Sequence, residues 1–106
     1  MKRSILIVVS VAVFVLSLSL VAFSQEAGEG LFGKHCSACH PNGGNVFKAN
    51  KTLSKADMEA NNVKTTADIV NLIRNPGPLM TKIDQETLPD KDAMQIAEFV
   101  LQKFNK

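Results

Sequence analysis

The sequence has no tryptophan, no tyrosine and only two cysteines among its 106 residues. Because large aromatic side chains contribute much of the apolar area of a core, a chain without Trp or Tyr has a thin one. Small domains of this kind usually need a disulfide, a metal or a cofactor for stability. The sequence also lacks internal repeats and any short run that alternates apolar and polar residues as a strand does. These absences favour a small all-α fold that is stabilised by a disulfide, a metal or a cofactor.

A strong excess of charge is also lacking. The formal charge of +2 is accounted for by Lys2 and Arg3, and residues 25–106 contain ten basic and ten acidic side chains. A nucleic-acid-binding role would require a basic surface, and this composition provides none.

The chain begins with a basic start and an apolar run. Residues 5–23 are apolar except for three serines, and Ala22-Phe23-Ser24 fits the small-x-small pattern of a cleavage site. Residues 1–24 are therefore predicted to be a secretory signal peptide, which leaves residues 25–106 as the mature domain. The alternative is an uncleaved membrane anchor, because roughly 17–25 apolar residues suffice to span a bilayer. No cysteine lies near the junction, which argues against a lipid anchor.

Helical signals recur along residues 25–106. A short segment at 27–38 contains Gly28 and Gly30, which weaken an isolated helix but allow a second helix to approach closely. Apolar residues at i, i+3, i+4, i+7, i+8 and i+11 predict the last helix, over about 90–104. The remaining signals are a loop at Pro41–Asn45, a helix capped by Ser54 that runs to about Asn61, and a helix capped by Thr65 or Thr66 that ends before Asn75-Pro76-Gly77-Pro78. The fold class is thus all-α, with four or five short helices.

The two cysteines stand in Cys36-Ser37-Ala38-Cys39-His40. This C-x-x-C-H pattern is typical of covalent haem attachment. Two intervening residues let both thiols reach the two vinyl groups of one porphyrin, and the adjacent histidine then ligates iron from the proximal side. One covalent haem c, held by Cys36 and Cys39 with His40 on the iron, is predicted.

Three other uses of the cysteines fit the sequence less well. A thioredoxin-like C-x-x-C requires a βαβ context, which the sequence lacks. A zinc site requires four ligands, and only His35 remains outside the motif. A disulfide between Cys36 and Cys39 would close a very short loop and add little stability.

A six-coordinate haem iron needs a second axial ligand, which is commonly methionine in cytochromes c. Met58 and Met94 lie in helical segments, where methionine usually serves packing. Met80 lies in the long connection after Asn75-Pro76-Gly77-Pro78-Leu79, and is the predicted distal ligand. His35 is its rival, but it precedes the motif on the same helix and is expected to face solvent.

Nearly the whole mature chain, from about Gly30 to Phe104, resembles the small class I cytochromes c, in particular those of the cytochrome c6 type. The resemblance rests on the haem motif, Gly43-Gly44-Asn45, Lys51-Thr52-Leu53, the loop ending in Leu79-Met80, and Ile96-Ala97-Glu98-Phe99-Val100. It implies an all-α fold around one haem, His/Met iron ligation, one-electron transfer and a periplasmic location. The family usually has a proline directly after the axial methionine, whereas Thr81 follows Met80 here.

The first functional hypothesis is a monomeric electron carrier that redox protein partners approach transiently at the exposed haem edge. Val46, Phe47, Leu79 and Ile83 are candidates to line the haem pocket, although plain core packing is the expected role of each. The alternative hypothesis is a haem protein with a weak or open sixth site, acting in peroxidase-like chemistry, in sensing or in the assembly of other cytochromes.

Overall fold

The computed structural model describes the backbone of residues 2–106 and the side chains of residues 8–13 and 25–106. The helices are α1 (Lys2–His35), a 3₁₀ turn (Pro41–Gly43), α2 (Lys55–Ala60), α3 (Thr66–Arg74) and α4 (Asp90–Lys103). Residues 2–106 contain no strand, so the predicted all-α class is confirmed. Four of these elements are short, as expected, whereas α1 has 34 residues.

The predicted signal segment, residues 1–24, falls largely outside the described side chains, and its cleavage stays a prediction. In the part of the chain that is described, no helix has both the length and the apolar character required to cross a membrane.

The crossing of α1 and α4 forms one side of the core. At Gly28 an added Cβ would lie 2.5 Å from the carbonyl oxygen of Gln95 and 2.8 Å from Cβ of Phe99, so only glycine permits this approach. Gly30 has open space around it. Of the two glycines predicted to favour close helix packing, Gly28 alone has that role.

Three phenylalanines join α1 to the end of α4. The ring centroids of Phe32, Phe99 and Phe104 are 5.2–5.6 Å apart, within the range of favourable tilted and edge-to-face pairs. Gly43 lies against this cluster, because a Cβ there would be 2.5 Å from Cδ1 of Phe104. The aromatic cluster thus anchors the segment that follows the cysteines to the helix crossing.

The periodicity predicted for the last helix is confirmed. Ala93, Ile96, Ala97 and Val100 are each 2% exposed or less. They pack with apolar residues of α1, α2, α3 and the connection before α4. Among the described side chains, the buried core consists of Phe32, Met58, Val63, Ile69, Ile73, Leu88, Ala93, Ile96, Ala97, Phe99 and Val100.

The helix caps and the loop after the cysteines agree with the prediction, and the structure adds one detail to each. Ser54 caps α2 by accepting from the Asp57 N–H, as predicted. Thr65 rather than Thr66 caps α3, and with Asp68 it forms a full capping box. The predicted loop at Pro41–Asn45 contains one 3₁₀ turn in which Asn42 adopts a left-handed conformation, with φ of 53°. Asparagine tolerates this conformation better than most residues because its short amide can bond locally.

Candidate functional site

The haem motif lies on the turns that directly follow α1. The helix ends at His35, earlier than the predicted residue 38, because the Phe32 carbonyl accepts from the N–H groups of both Cys36 and Ser37 and the backbone leaves the helical path. The Cys36 carbonyl then accepts from the N–H groups of Cys39 and His40, at 3.2 and 2.9 Å. Side chains three and four residues apart on such a turn share one side of it. Cys36, Cys39 and His40 thus lie on consecutive turns directly after α1, and their roles as haem attachment points and iron ligand stay predictions.

The two thiols differ in their surroundings. Both are free, with Cys36 half-buried against the core and Cys39 exposed. Burial, with the nearby Cys39 as a smaller cause, raises the pKa of the Cys36 thiol from 9.0 to about 11.

The imidazole of His40 is held in a defined orientation. Its Nδ1 lies 2.7 Å from the carbonyl oxygen of Gly44. Because a carbonyl oxygen only accepts, Nδ1 must carry the proton and donate it. Nε2 is then left with a free lone pair, the arrangement that prepares a histidine for a metal.

The loop after the motif is tied back by short backbone bonds. The Val46 N–H donates to the Cys39 carbonyl at 3.0 Å, and the Leu53 N–H donates to the Gly43 carbonyl at 2.8 Å. The Asn45 amide oxygen accepts from the N–H groups of Phe47 and Lys48. These bonds give the segment a fixed shape although most of its side chains are exposed.

The methionines separate as the sequence suggested. Met58 is 4% exposed, and its sulfur accepts a hydrogen bond from the Asn105 amide at 3.4 Å. Met94 is partly exposed on α4. Met80 lies in the loop between α3 and α4, half-buried, with its side chain against the core. Among these three, Met80 alone combines a loop position with partial burial.

Two smaller expectations are corrected. His35, expected to face solvent, is half-buried at the last residue of α1. Val46, Phe47 and Leu79, for which core packing was the expected role, are not covered by other residues of the chain, at 56%, 61% and 54% exposed, and remain candidates to line the haem pocket. Ile83 does pack against the core. Apolar side chains thus lie on the two loops that carry the motif and Met80.

The donor set fits a covalently bound haem. Two neighbouring thiols can form thioether bonds, a histidine with a free Nε2 can ligate iron, and a half-buried thioether can supply a second ligand. In residues 8–13 and 25–106, no three His, Cys, Asp or Glu side chains gather as a metal site, so a zinc centre gains no support.

Comparisons with known proteins agree on one family. The family model described as "Cytochrome C oxidase, cbb3-type, subunit III" matches residues 24–100. Cytochrome c6 from Cyanidium caldarium is 36% identical over 109 aligned positions, which cover 100% of this chain and 98% of the relative.

Solved structures give the same result. Outer membrane cytochrome F (OmcF) from Geobacter sulfurreducens is similar with a TM-score of 0.71 and 44% identity, covering 73% of this chain and 98% of that one. Cytochrome c6 from the diatom Phaeodactylum tricornutum has a TM-score of 0.68 and 29% identity, covering 74% of this chain and 91% of that one.

These relatives confirm the predicted resemblance and the predicted cofactor, one covalently attached haem c. The enzymatic alternative is not favoured, because the cytochrome c6 relatives are electron carriers. This chain belongs to the small class I monohaem cytochromes c of the cytochrome c6 type, and it is a haem electron carrier rather than an enzyme.

Proposed function

We propose that this chain is an exported, periplasmic one-electron carrier in which Cys36 and Cys39 hold the haem, and His40 and Met80 are the axial ligands. When bound, the haem iron supplies a reversible one-electron couple. The observation that carries the proposal is the hydrogen bond from His40 Nδ1 to the Gly44 carbonyl, 2.7 Å long, in a histidine that directly follows the free Cys39 in the chain.

The protein's own residues have three tasks in this proposal. The turn at Cys36–His40 fixes the two sulfur atoms and the imidazole relative to one another. The bond to Gly44 fixes the tautomer of His40 and makes Nε2 the ligating atom. Met80, held in its loop, would supply a thioether as the second iron ligand, and a thioether ligand favours the reduced iron and raises the potential.

The two loops also define where a partner would approach. Val46, Phe47 and Leu79 are apolar residues on the two loops that would border the haem, and residues 25–106 have balanced charge. Transient docking of a monomer to a redox protein at the exposed haem edge fits these properties, because weak electron-transfer encounters use small interfaces.

The ligation is tested by the visible spectrum of the oxidised holoprotein. A weak band near the red end of the spectrum requires the bond between methionine sulfur and iron. We expect this band in the wild type and its loss in Met80→Ala. Met94→Ala, which truncates a partly exposed methionine on α4, is the matched control and should retain it. A high-spin wild-type spectrum, with immediate binding of added ligands, contradicts the proposal.

Export is tested by the mass of the protein from the periplasmic fraction. Residues 1–24 are proposed to be a signal peptide, so the isolated holoprotein should begin at about Gln25 and carry one haem. A full-length mass in the membrane fraction would instead support the uncleaved anchor.

A further inference from the structure

Arg74, the last residue of α3, binds both the middle and the end of the connection that carries Met80. Its Nη1 donates to the Ile83 carbonyl at 3.0 Å, and its Nη2 donates to the Leu88 carbonyl at 2.7 Å. Nη2 also lies 2.9 Å from Oδ1 of Asp90, at the start of α4. One side chain therefore links the end of α3, the Met80 loop and the start of α4.

The guanidinium is held in a largely buried place. The Arg74 side chain is 15% exposed, and its buried Nε has no hydrogen-bond partner among the described residues. Burying a charge with incomplete partners is costly, and well-packed apolar residues often stabilise such a place as well or better. If this position served only to stabilise the fold, an aliphatic side chain would suffice. The presence of a buried arginine therefore indicates a more specific role.

The loop itself has few other attachments near Met80. The Ile83 N–H donates to the Ile73 carbonyl at 3.2 Å, and the Asn75 N–H bonds back to the Asn71 carbonyl within the helix end. Thr81 and Lys82, which directly follow Met80, are exposed. The first fixed point after Met80 is thus Ile83, whose carbonyl is bound by Arg74.

We propose that Arg74 is the positioning residue for the distal ligand, holding the loop closed so that the Met80 sulfur stays at the iron. This inference rests on the proposed ligation by Met80. It also explains the choice of arginine, because the planar guanidinium presents several donors in a fixed fork and can satisfy three acceptors at once. Lysine, with one nitrogen on a flexible stem, cannot hold the same three groups in this geometry.

The test uses the holoproteins of Arg74→Gln and Arg74→Lys with two readouts. One is the pH at which the methionine–iron band of the oxidised protein is lost on alkalisation. The other is the exchange rate of the Ile83 amide in the reduced protein. Because hydrogen bonds from a charged group are strong, we expect the amide to exchange about tenfold faster and the band to be lost about one pH unit lower in both variants.

Two matched controls separate positioning from general stability. Ile96→Val removes a methyl group from the buried face of α4 and should lower global stability without moving either readout. Asp90→Asn removes the exposed ion pair but leaves the bonds to the Ile83 and Leu88 carbonyls, and should behave like the wild type.

Unchanged readouts in both Arg74 variants, full rescue by Arg74→Lys, or equal shifts in Ile96→Val would overturn the proposal. If the wild type itself lacks the band, the ligation by Met80 is wrong. The Ile83 amide then still decides whether Arg74 holds the loop, so the two failures are distinguishable.

Discussion

The helix crossing and the two ligand-bearing loops are stabilised by different forces. Where α1 crosses α4, glycine and aromatic side chains pack directly, and the face of α4 from Ala93 to Val100 is buried. The loops around Cys36–His40 and Met80 depend instead on a few directed hydrogen bonds made by the side chains of Asn45, His40 and Arg74. Apolar packing tolerates small adjustments, whereas a loop held by a few directed bonds depends on each of them.

The largest expected effect comes from a change in the loop that attaches the haem. Cys36→Ser combined with Cys39→Ser removes both attachment points, so the exported chain should carry no covalent haem. Because the domain is small and its core is thin, the product should also show no cooperative unfolding. Haem staining of a denaturing gel and circular dichroism during heating measure the two effects.

Ser37→Ala is the control for this variant. Ser37 lies between the two cysteines, and its replacement removes only the 2.6 Å hydrogen bond from its Oγ to the Gly33 carbonyl. Haem attachment should be retained. Cooperative unfolding of the double variant would show that the helix crossing is stable by itself, and would contradict the dependence on haem.

The next largest effect concerns the helix crossing. In Gly28→Ala the new Cβ would collide with the Gln95 carbonyl and Phe99, so the helices must separate. We expect a loss of about 1–3 kcal/mol in the free energy of unfolding. Gly30→Ala, two residues later in the same helix, meets nothing within 4 Å and should stabilise by about 0.5–1 kcal/mol. Denaturant unfolding of both holoproteins measures the pair, and equal signs would contradict the assigned crossing.

The apolar packing at the helix crossing could be predicted from the sequence. The spacing of Ala93, Ile96, Ala97 and Val100 predicted the buried face of α4, because a helix repeats every 3.6 residues. Cys36-Ser37-Ala38-Cys39-His40 likewise predicted one covalent haem c, because two intervening residues let both thiols reach two vinyl groups of one porphyrin.

The hydrogen bonds that hold the loops could not be predicted in the same way. Arg74 at the end of α3 is explained on sequence grounds by the helix dipole alone. Its partners are the backbone carbonyls of Ile83 and Leu88, and carbonyls have no residue identity to detect. Val46, Phe47 and Leu79 were not distinguished from core residues for a related reason: apolar residues in loops carry no periodicity that separates core packing from a place beside the haem.

A smaller effect is expected at Asn45, which organises the loop after the motif. Its side chain accepts from the N–H groups of Phe47 and Lys48 and donates to the Lys51 carbonyl. Asn45→Ala should cost about 1 kcal/mol of unfolding free energy, because these bonds are partly replaced by water. It should also accelerate amide exchange at Phe47 and Lys48. Asn50→Ala, in the same exposed loop, is the control and should change neither; unchanged exchange in Asn45→Ala contradicts the role of this side chain.

The smallest expected effect is a pH dependence at the start of α3. Hydrogen bonds from the backbone N–H groups of Lys64 and Thr65 lower the pKa of Asp68 below its ordinary value of 3.8. A lowered pKa in the folded state means that the carboxylate stabilises the fold above pH 3.8 and that this contribution is lost as the pH falls through the lower, folded value. Asp68→Asn should therefore be less stable than the wild type at neutral pH, and the two stability curves should converge in acid. The measurement is the free energy of unfolding of both holoproteins, obtained with denaturant between pH 7 and pH 2. A constant difference between wild type and variant over this range would show instead that the cap acts through its shape and not through its charge.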